Sequence, residues 1–158
     1  MTDYIGIIGL GNAGSAVASA LAKKTRVIGF DVNPDCKNAA EANGIRWAND
    51  YQEIAEHADK IILSLPKPEI SVAITKTLAE LSKKPKLVIE TSTVTPQTAK
   101  TCFEICENLQ PGAGFSSQAD FAAAHLSKCL QLEGVSLGLS AKLTDAASQH
   151  LSRCPRES

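Results

Sequence analysis

The sequence predicts an α/β fold, a doubly wound parallel sheet with helices on both faces. Three observations carry this. Short apolar runs of buried-strand character recur through residue 110, segments of helical periodicity separate them, and glycine and capping signals mark the joints between the two. An alternation of this kind needs crossover connections, and these make the sheet parallel.

Tyr4-Ile5-Gly6-Ile7-Ile8 is the first strand, and a glycine-rich turn leads from it into a helix over 13–23. Val27–Phe30 is the second strand. Asn33 before Pro34 reads as an N-cap with proline at the first helical position, which opens a helix over 34–42. Gly44 ends that helix, and Ile45–Ala48 forms a short strand. Asp50 followed by Glu53 is a capping-box-like start for a helix to about Ala58. Lys60–Leu65 is a buried strand stopped by Pro66. A helix over 68–82 follows, with Ile70, Ile74, Leu78 and Leu81 at helical spacing. Lys86–Glu90 is the fifth strand, and Thr95-Pro96 starts a helix running to about Asn108. The expected strand order is 3-2-1-4-5, with a ligand crevice at the carboxyl ends of strands 1 and 4. Strand 5 is then expected at the sheet edge unless the tail covers it, and an uncovered edge invites self-association.

The first joint carries the chemistry. Gly9-Leu10-Gly11-Asn12-Ala13-Gly14 follows a strand and opens a helix, and Asp31 ends the next strand. A lone G-x-G-x-x-G is weak, but strand, glycines, helix and an acid about 20 residues on form the context of a dinucleotide site. Gly9 permits the tight turn, Gly11 lets a pyrophosphate approach the backbone, and Gly14 lets helix and strand pack closely. The helix N-terminus supplies free N–H groups and the positive end of a dipole for the phosphates. Asp31 is placed to accept hydrogen bonds from the adenosine ribose hydroxyls. It would oppose a 2′-phosphate, and no arginine immediately follows it, so NAD is expected in preference to NADP.

Composition bounds the rest. The 158 residues suffice for one domain with a real core, and a net charge of −1 makes no electrostatic case for nucleic acid or an anionic membrane. The stretch Ser82-Lys83-Lys84-Pro85-Lys86 reads as a solvated turn. No run of 18 apolar residues exists, and the N-terminus passes into the first strand without the basic flank of a cleaved signal. The five cysteines (Cys36, Cys102, Cys106, Cys129, Cys154) are scattered and odd in number, which argues against a secreted framework. Cys102 and Cys106 share a helix face and read as buried. His57, His125 and His150 lack ligand-spaced partners, and no metal site is expected. A soluble protein of the cytoplasm or another reducing compartment is the expectation. Serines shift from six in residues 1–110 to eight in 111–158, and the later segment carries no convincing strand. A dinucleotide-binding domain over 1–110 and a poorly specified tail over 111–158 follow.

Four stretches together resemble the β-hydroxyacid dehydrogenase family, which includes 3-hydroxyisobutyrate and 6-phosphogluconate dehydrogenases. They are Ile8–Gly14, Phe30-Asp31-Val32-Asn33-Pro34, Leu63-Ser64-Leu65-Pro66, and Glu90-Thr91-Ser92-Thr93-Val94-Thr95-Pro96. The S-T-x-x-P loop after the fifth strand is the most specific of them. The resemblance covers about residues 3–110 and implies an NAD(P)-binding Rossmann domain. It also implies that Leu65 and Pro66 contact the cofactor through backbone and packing, that Thr93 touches the nicotinamide ribose, and that Ser92 borders the substrate. Ser92, Thr93 and Pro96 equally suit a helix N-terminal cap, and the two roles are compatible. Ala13 stands where the family often has methionine, and Glu90 where it often has aspartate.

The catalytic half of the family pattern is not recognisable. Gln110-Pro111-Gly112-Ala113-Gly114-Phe115-Ser116-Ser117 does not match the family's substrate loop, and a sixth strand is not expected. The family's lysine-bearing helix has one faint echo, Gly138-Leu139-Ser140-Ala141-Lys142-Leu143, which makes Lys142 a weak candidate acid/base. Three readings remain open: a truncated or aberrantly translated dehydrogenase that at best holds cofactor, a non-catalytic nucleotide-binding module that is regulatory or needs a partner chain, and a complete small reductase.

Overall fold

The computed structural model describes residues 4–109 and 114–117. Its elements in chain order are β1 (Tyr4–Ile8), α1 (Asn12–Ala22), β2 (Arg26–Phe30), α2 (Cys36–Ala42), β3 (Ile45–Trp47), α3 (Tyr51–His57), β4 (Lys60–Leu63), α4 (Pro68–Glu80), β5 (Leu87–Glu90), α5 (Pro96–Leu109) and β6 (Gly114–Ser117). The strands form one sheet in the order β3-β2-β1-β4-β5-β6, and every neighbouring pair is parallel. The register aligns Phe30, Ile8, Leu63, Glu90 and Ser117 in one row across the sheet. The loops that follow β1, β2, β4 and β5 therefore leave from one edge.

Each central strand is apolar on both faces, which is the pattern of a parallel sheet buried between helix layers. Ile5, Ile7, Val27, Ile62 and Ile89 pack with Ala18 and Leu21 of α1 and Ala40 of α2. Ile8, Ile28, Ile61, Leu63 and Val88 pack on the other face with Ile54 of α3, Leu78 of α4 and Cys106 of α5. Full burial of each such aliphatic side chain contributes about 1.5–3 kcal/mol.

The sheet departs from the sequence reading at one end. A sixth strand, Gly114–Ser117, pairs with β5 from Leu87↔Gly114 to Glu90↔Ser117, so β5 is an interior strand and the expected edge there is covered. The sheet thus extends beyond a domain end drawn at residue 110. Gly-Phe-Ser-Ser has little strand propensity and no alternation. Its pairing is dictated by the open hydrogen-bonding edge of β5 and by the α5 crossover that returns the chain to it, neither of which local sequence records.

Two helices also differ in detail. The second begins at Cys36 rather than at 34, because Asn33 and Pro34 form a turn first: the Asn33 side chain accepts from Asp35 N (3.1 Å), and Cys36 N donates to Asn33 O (3.2 Å). Asp50 caps α3 as expected, accepting from Glu53 N at 2.8 Å. The Glu53 carboxylate, however, reaches one residue further back and accepts from both Asn49 N (2.9 Å) and Asn49 Nδ2 (2.8 Å). In α4 the buried face is Ser71, Thr75, Leu78 and Ala79, while Ile70 and Ile74 turn toward a cleft. The basic turn is tied down: Lys83 and Lys86 both pair with Asp59, at 3.3 and 2.6 Å.

Candidate functional site

A cleft of about 380 Å³ opens at the carboxyl edge of the sheet, where β1 and β4 diverge to opposite connections. The volume lies in the range of small-molecule sites. Its walls bring together Gly9, Gly11, Asn12, Ala13 and Gly14 from the first loop, Asp31 from the end of β2, and Leu65 and Pro66 from the turn after β4.

The three glycines hold different positions. Gly9 has φ +93°, and a Cβ there would collide with the Ser64 carbonyl. A Cβ on Gly14 would collide with the Gly9 carbonyl, so this glycine allows α1 to seat on the loop. Gly11 has ordinary backbone angles (φ −66°, ψ −167°), and a Cβ there would meet nothing within 4 Å. The space beside Gly11 is the cleft itself. Gly11 is the N-cap of α1 without a side-chain cap, and the first turn of α1 carries no acid. Its leading N–H groups therefore face the cleft with neither a capping oxygen nor a competing carboxylate.

Asp31 ties the two loops together. Its Oδ2 accepts from Leu10 N at 2.6 Å and its Oδ1 accepts from Asn33 N at 2.8 Å. A carboxylate has about four lone-pair sites, so capacity for ligand hydroxyls remains. Leu10 sends its side chain into the core and offers the site only its backbone.

The turn after β4 is fastened to the loop after β5. Leu65 N donates to Ser92 Oγ (2.7 Å), and Ser92 N donates to Glu90 Oε1 (2.8 Å), with Glu90 fully buried. The Ser92 hydroxyl retains its proton as a donor. Thr93 is exposed on this loop and does not line the cleft. Thr95 caps α5, accepting from Thr98 N at 3.2 Å. The cap that Ser92 and Thr93 were equally suited to thus belongs to Thr95.

Several lining residues escaped the sequence reading: Phe30, Val32, Tyr51, Ser64, Ile70 and Ile74. Tyr51 follows the cap that opens α3, and a helix start after a parallel strand lies at the carboxyl edge; that was the available signal. Cys102 and Cys106 are buried as expected, and burial pushes both thiols up, Cys106 to about 11. Lys142, Cys129, Cys154, His125 and His150 lie outside the described residues. Among the described residues no helix is long and apolar enough to cross a membrane.

Comparison with known proteins agrees with this geometry. The model of the NAD binding domain of 6-phosphogluconate dehydrogenase matches residues 4–112. The mitochondrial 3-hydroxyisobutyrate dehydrogenase of Mus musculus is 40% identical over 101 residues, which is 61% of this chain and 30% of that protein. The chain thus matches less than a third of that relative's length. A structure of the Mycobacterium tuberculosis 3-hydroxyisobutyrate dehydrogenase with L-serine superposes with a TM-score of 0.61 at 25% identity, covering 73% of this chain and 39% of that one. An imine reductase variant from Myxococcus stipitatus in complex with NAD+ shares the fold at 15% identity, with a TM-score of 0.67 over 96% of this chain and 60% of its own. The chain belongs to the family of the NAD binding domain of 6-phosphogluconate dehydrogenase, and that domain is similar to the corresponding part of 3-hydroxyisobutyrate dehydrogenases.

Proposed function

We propose that the cleft binds NAD in preference to NADP, with the pyrophosphate at the start of α1 and the adenosine ribose at Asp31. The observation that carries this reading is the open space at Gly11, bounded by the uncapped first turn of α1 and by the Asp31 carboxylate. A bound pyrophosphate gains the N–H groups of Asn12, Ala13 and Gly14 without displacing a side chain. Asp31 opposes a 2′-phosphate by charge and accepts from a ribose hydroxyl, and like charges brought together at a binding site cost on the order of several kcal/mol. Gly9 and Gly14 shape the loop, and Leu10 acts through its N–H.

Leu65 and Pro66 then face the nicotinamide half, and Thr93, on the loop beside them, is the residue offered to the nicotinamide ribose. Ser92 borders the substrate while it holds the Leu65 turn. In a complete enzyme of this family the nicotinamide would supply a hydride acceptor for a small hydroxy acid such as 3-hydroxyisobutyrate, and this chain holds the cofactor half of that chemistry. The described residues hold and orient; no base for the donor's hydroxyl proton is assigned among them. The dinucleotide-binding domain takes in β6, which pairs with β5. With β5 covered, association by that edge is not part of this reading. The half-buried and buried thiols of Cys36, Cys102 and Cys106 suit a reducing compartment.

The test is calorimetric titration of the whole chain with each cofactor. NAD is expected to bind tighter than NADP, and equal or tighter binding of NADP would overturn the preference.

A further inference from the structure

Tyr51 opens α3 beside the Asp31 end of the cleft and forms part of its wall. Its ring meets Phe30 edge-on, with centroids 5.0 Å apart, and Phe30 in turn packs on Trp47 at 6.3 Å. Packing therefore holds the ring. The hydroxyl has no hydrogen-bond partner among the described residues. Burial raises the phenol's pKa and the neighbouring Asp31 charge raises it further, so the group stays a neutral donor at physiological pH. The hydroxyl is accessible to solvent at the cleft wall, where a ligand can reach it.

The groups beside it narrow what that partner is. Asp31 can only accept, whereas the phenol can donate. A ligand hydroxyl can do both, donating a hydrogen bond to Asp31 and accepting one from Tyr51. A phosphate dianion could take the phenol's proton but would meet the carboxylate as a like charge. A sugar hydroxyl is thus the chemistry that fits the pair.

We propose that Tyr51 is a ligand-contacting residue for the adenosine half of the dinucleotide, its hydroxyl and the Asp31 carboxylate together holding a ribose hydroxyl. The inference rests on the dinucleotide reading above and adds to it a residue that sets the adenosine end. Tyr51 also gives that end a rigid wall, since two χ angles already fixed by packing leave little entropy to lose on binding.

The experiment compares the whole chain with Tyr51→Phe by calorimetry with NAD, and by NMR titration with adenosine monophosphate and nicotinamide mononucleotide as probes of the two halves. Loss of one hydrogen bond corresponds to about 3- to 10-fold. Tyr51→Phe is expected to weaken NAD and adenosine monophosphate by that factor and to leave nicotinamide mononucleotide and the unfolding midpoint unchanged. The chain has two tyrosines, so a second readout needs no variant: the Tyr51 ring resonances should shift with adenosine monophosphate and not with nicotinamide mononucleotide. Unchanged NAD affinity in Tyr51→Phe, equal weakening of both halves, or a silent Tyr51 ring would overturn the proposal. A wild-type chain that binds no NAD would instead overturn the reading of the cleft.

Discussion

Gly11 separates folding from binding more cleanly than any other position in the site. Its backbone angles suit any residue, and a Cβ would meet no protein atom within 4 Å. Gly11→Ala loses some N-cap preference, roughly 1 kcal/mol. It gains about 0.4–1 kcal/mol from the stiffer unfolded chain. The two offset, so the unfolding midpoint should move by no more than about 5 °C. Binding should behave differently, because the new methyl enters the space where a pyrophosphate meets the α1 N-terminus. Losing even two charge-assisted hydrogen bonds there costs about 3–6 kcal/mol, which is at least about 100-fold in affinity. Gly11→Val should abolish measurable binding of both cofactors. The control is Gly14→Ala, whose Cβ would strike the Gly9 carbonyl; overpacking against backbone costs about 1–3 kcal/mol or more in stability. Thermal unfolding and NAD calorimetry on the three variants give the comparison. If Gly11→Ala kept wild-type NAD affinity, or lost as much stability as Gly14→Ala, the reasoning would fail.

Asp31→Asn should narrow the preference for NAD over NADP, and because Asp31 also accepts from Leu10 N and Asn33 N it should cost about 1 kcal/mol in urea unfolding; a preference left unchanged would remove Asp31 from the selectivity argument. Asp50→Ala should cost about 0.5–2 kcal/mol by loss of the α3 cap, read in the same unfolding experiment. Hydrogen bonding from Asn49 N holds the Glu53 pKa low, with Asn49 Nδ2 and Arg46 adding to the effect against a smaller opposing contribution from burial. The stabilisation from Glu53 is therefore present above its unfolded value of about 4.3 and is lost as pH falls through its lower folded value. Glu53→Gln should flatten the acid limb of the stability profile in that window, and an unaltered limb would contradict the assignment. The whole chain with NAD and 3-hydroxyisobutyrate or glycerate should form no NADH above background, since a positioned acid/base contributes about 10²–10⁴-fold and neither Ser92 nor Thr93 is a base near neutral pH; turnover abolished by Lys142→Ala would overturn this and assign that role to Lys142.

The parts of the fold legible in the sequence are those where local chemistry and tertiary placement agree. The four interior strands β1, β2, β4 and β5 are apolar on both faces, and Asp50 and Thr95 cap the helices they precede. The sixth strand was illegible because, Phe115 apart, its residues carry little strand preference; pairing with β5 makes it one. Ile70 and Ile74 fit the helical stripe of α4, yet Ser71 and Thr75 occupy the buried face. Spacing alone could not separate a cleft-facing stripe from a core-facing one. In the site, the glycines and Asp31 were readable because each answers a backbone or charge requirement written within one β-α-β unit. The Glu90–Ser92–Leu65 chain and the position of Tyr51 were not, since they depend on which loops the register places side by side.

The most direct test of the central claim is an amide chemical-shift map of the whole chain titrated with NAD. The largest shifts are expected at Leu10, Asn12, Ala13 and Gly14, with further shifts at Val32, Tyr51 and Leu65 around the same cleft. The far edge of the sheet near Arg26 and Lys60 should stay still. No shift at the Gly9–Gly14 loop at saturating NAD, or shifts centred on another surface, would contradict it.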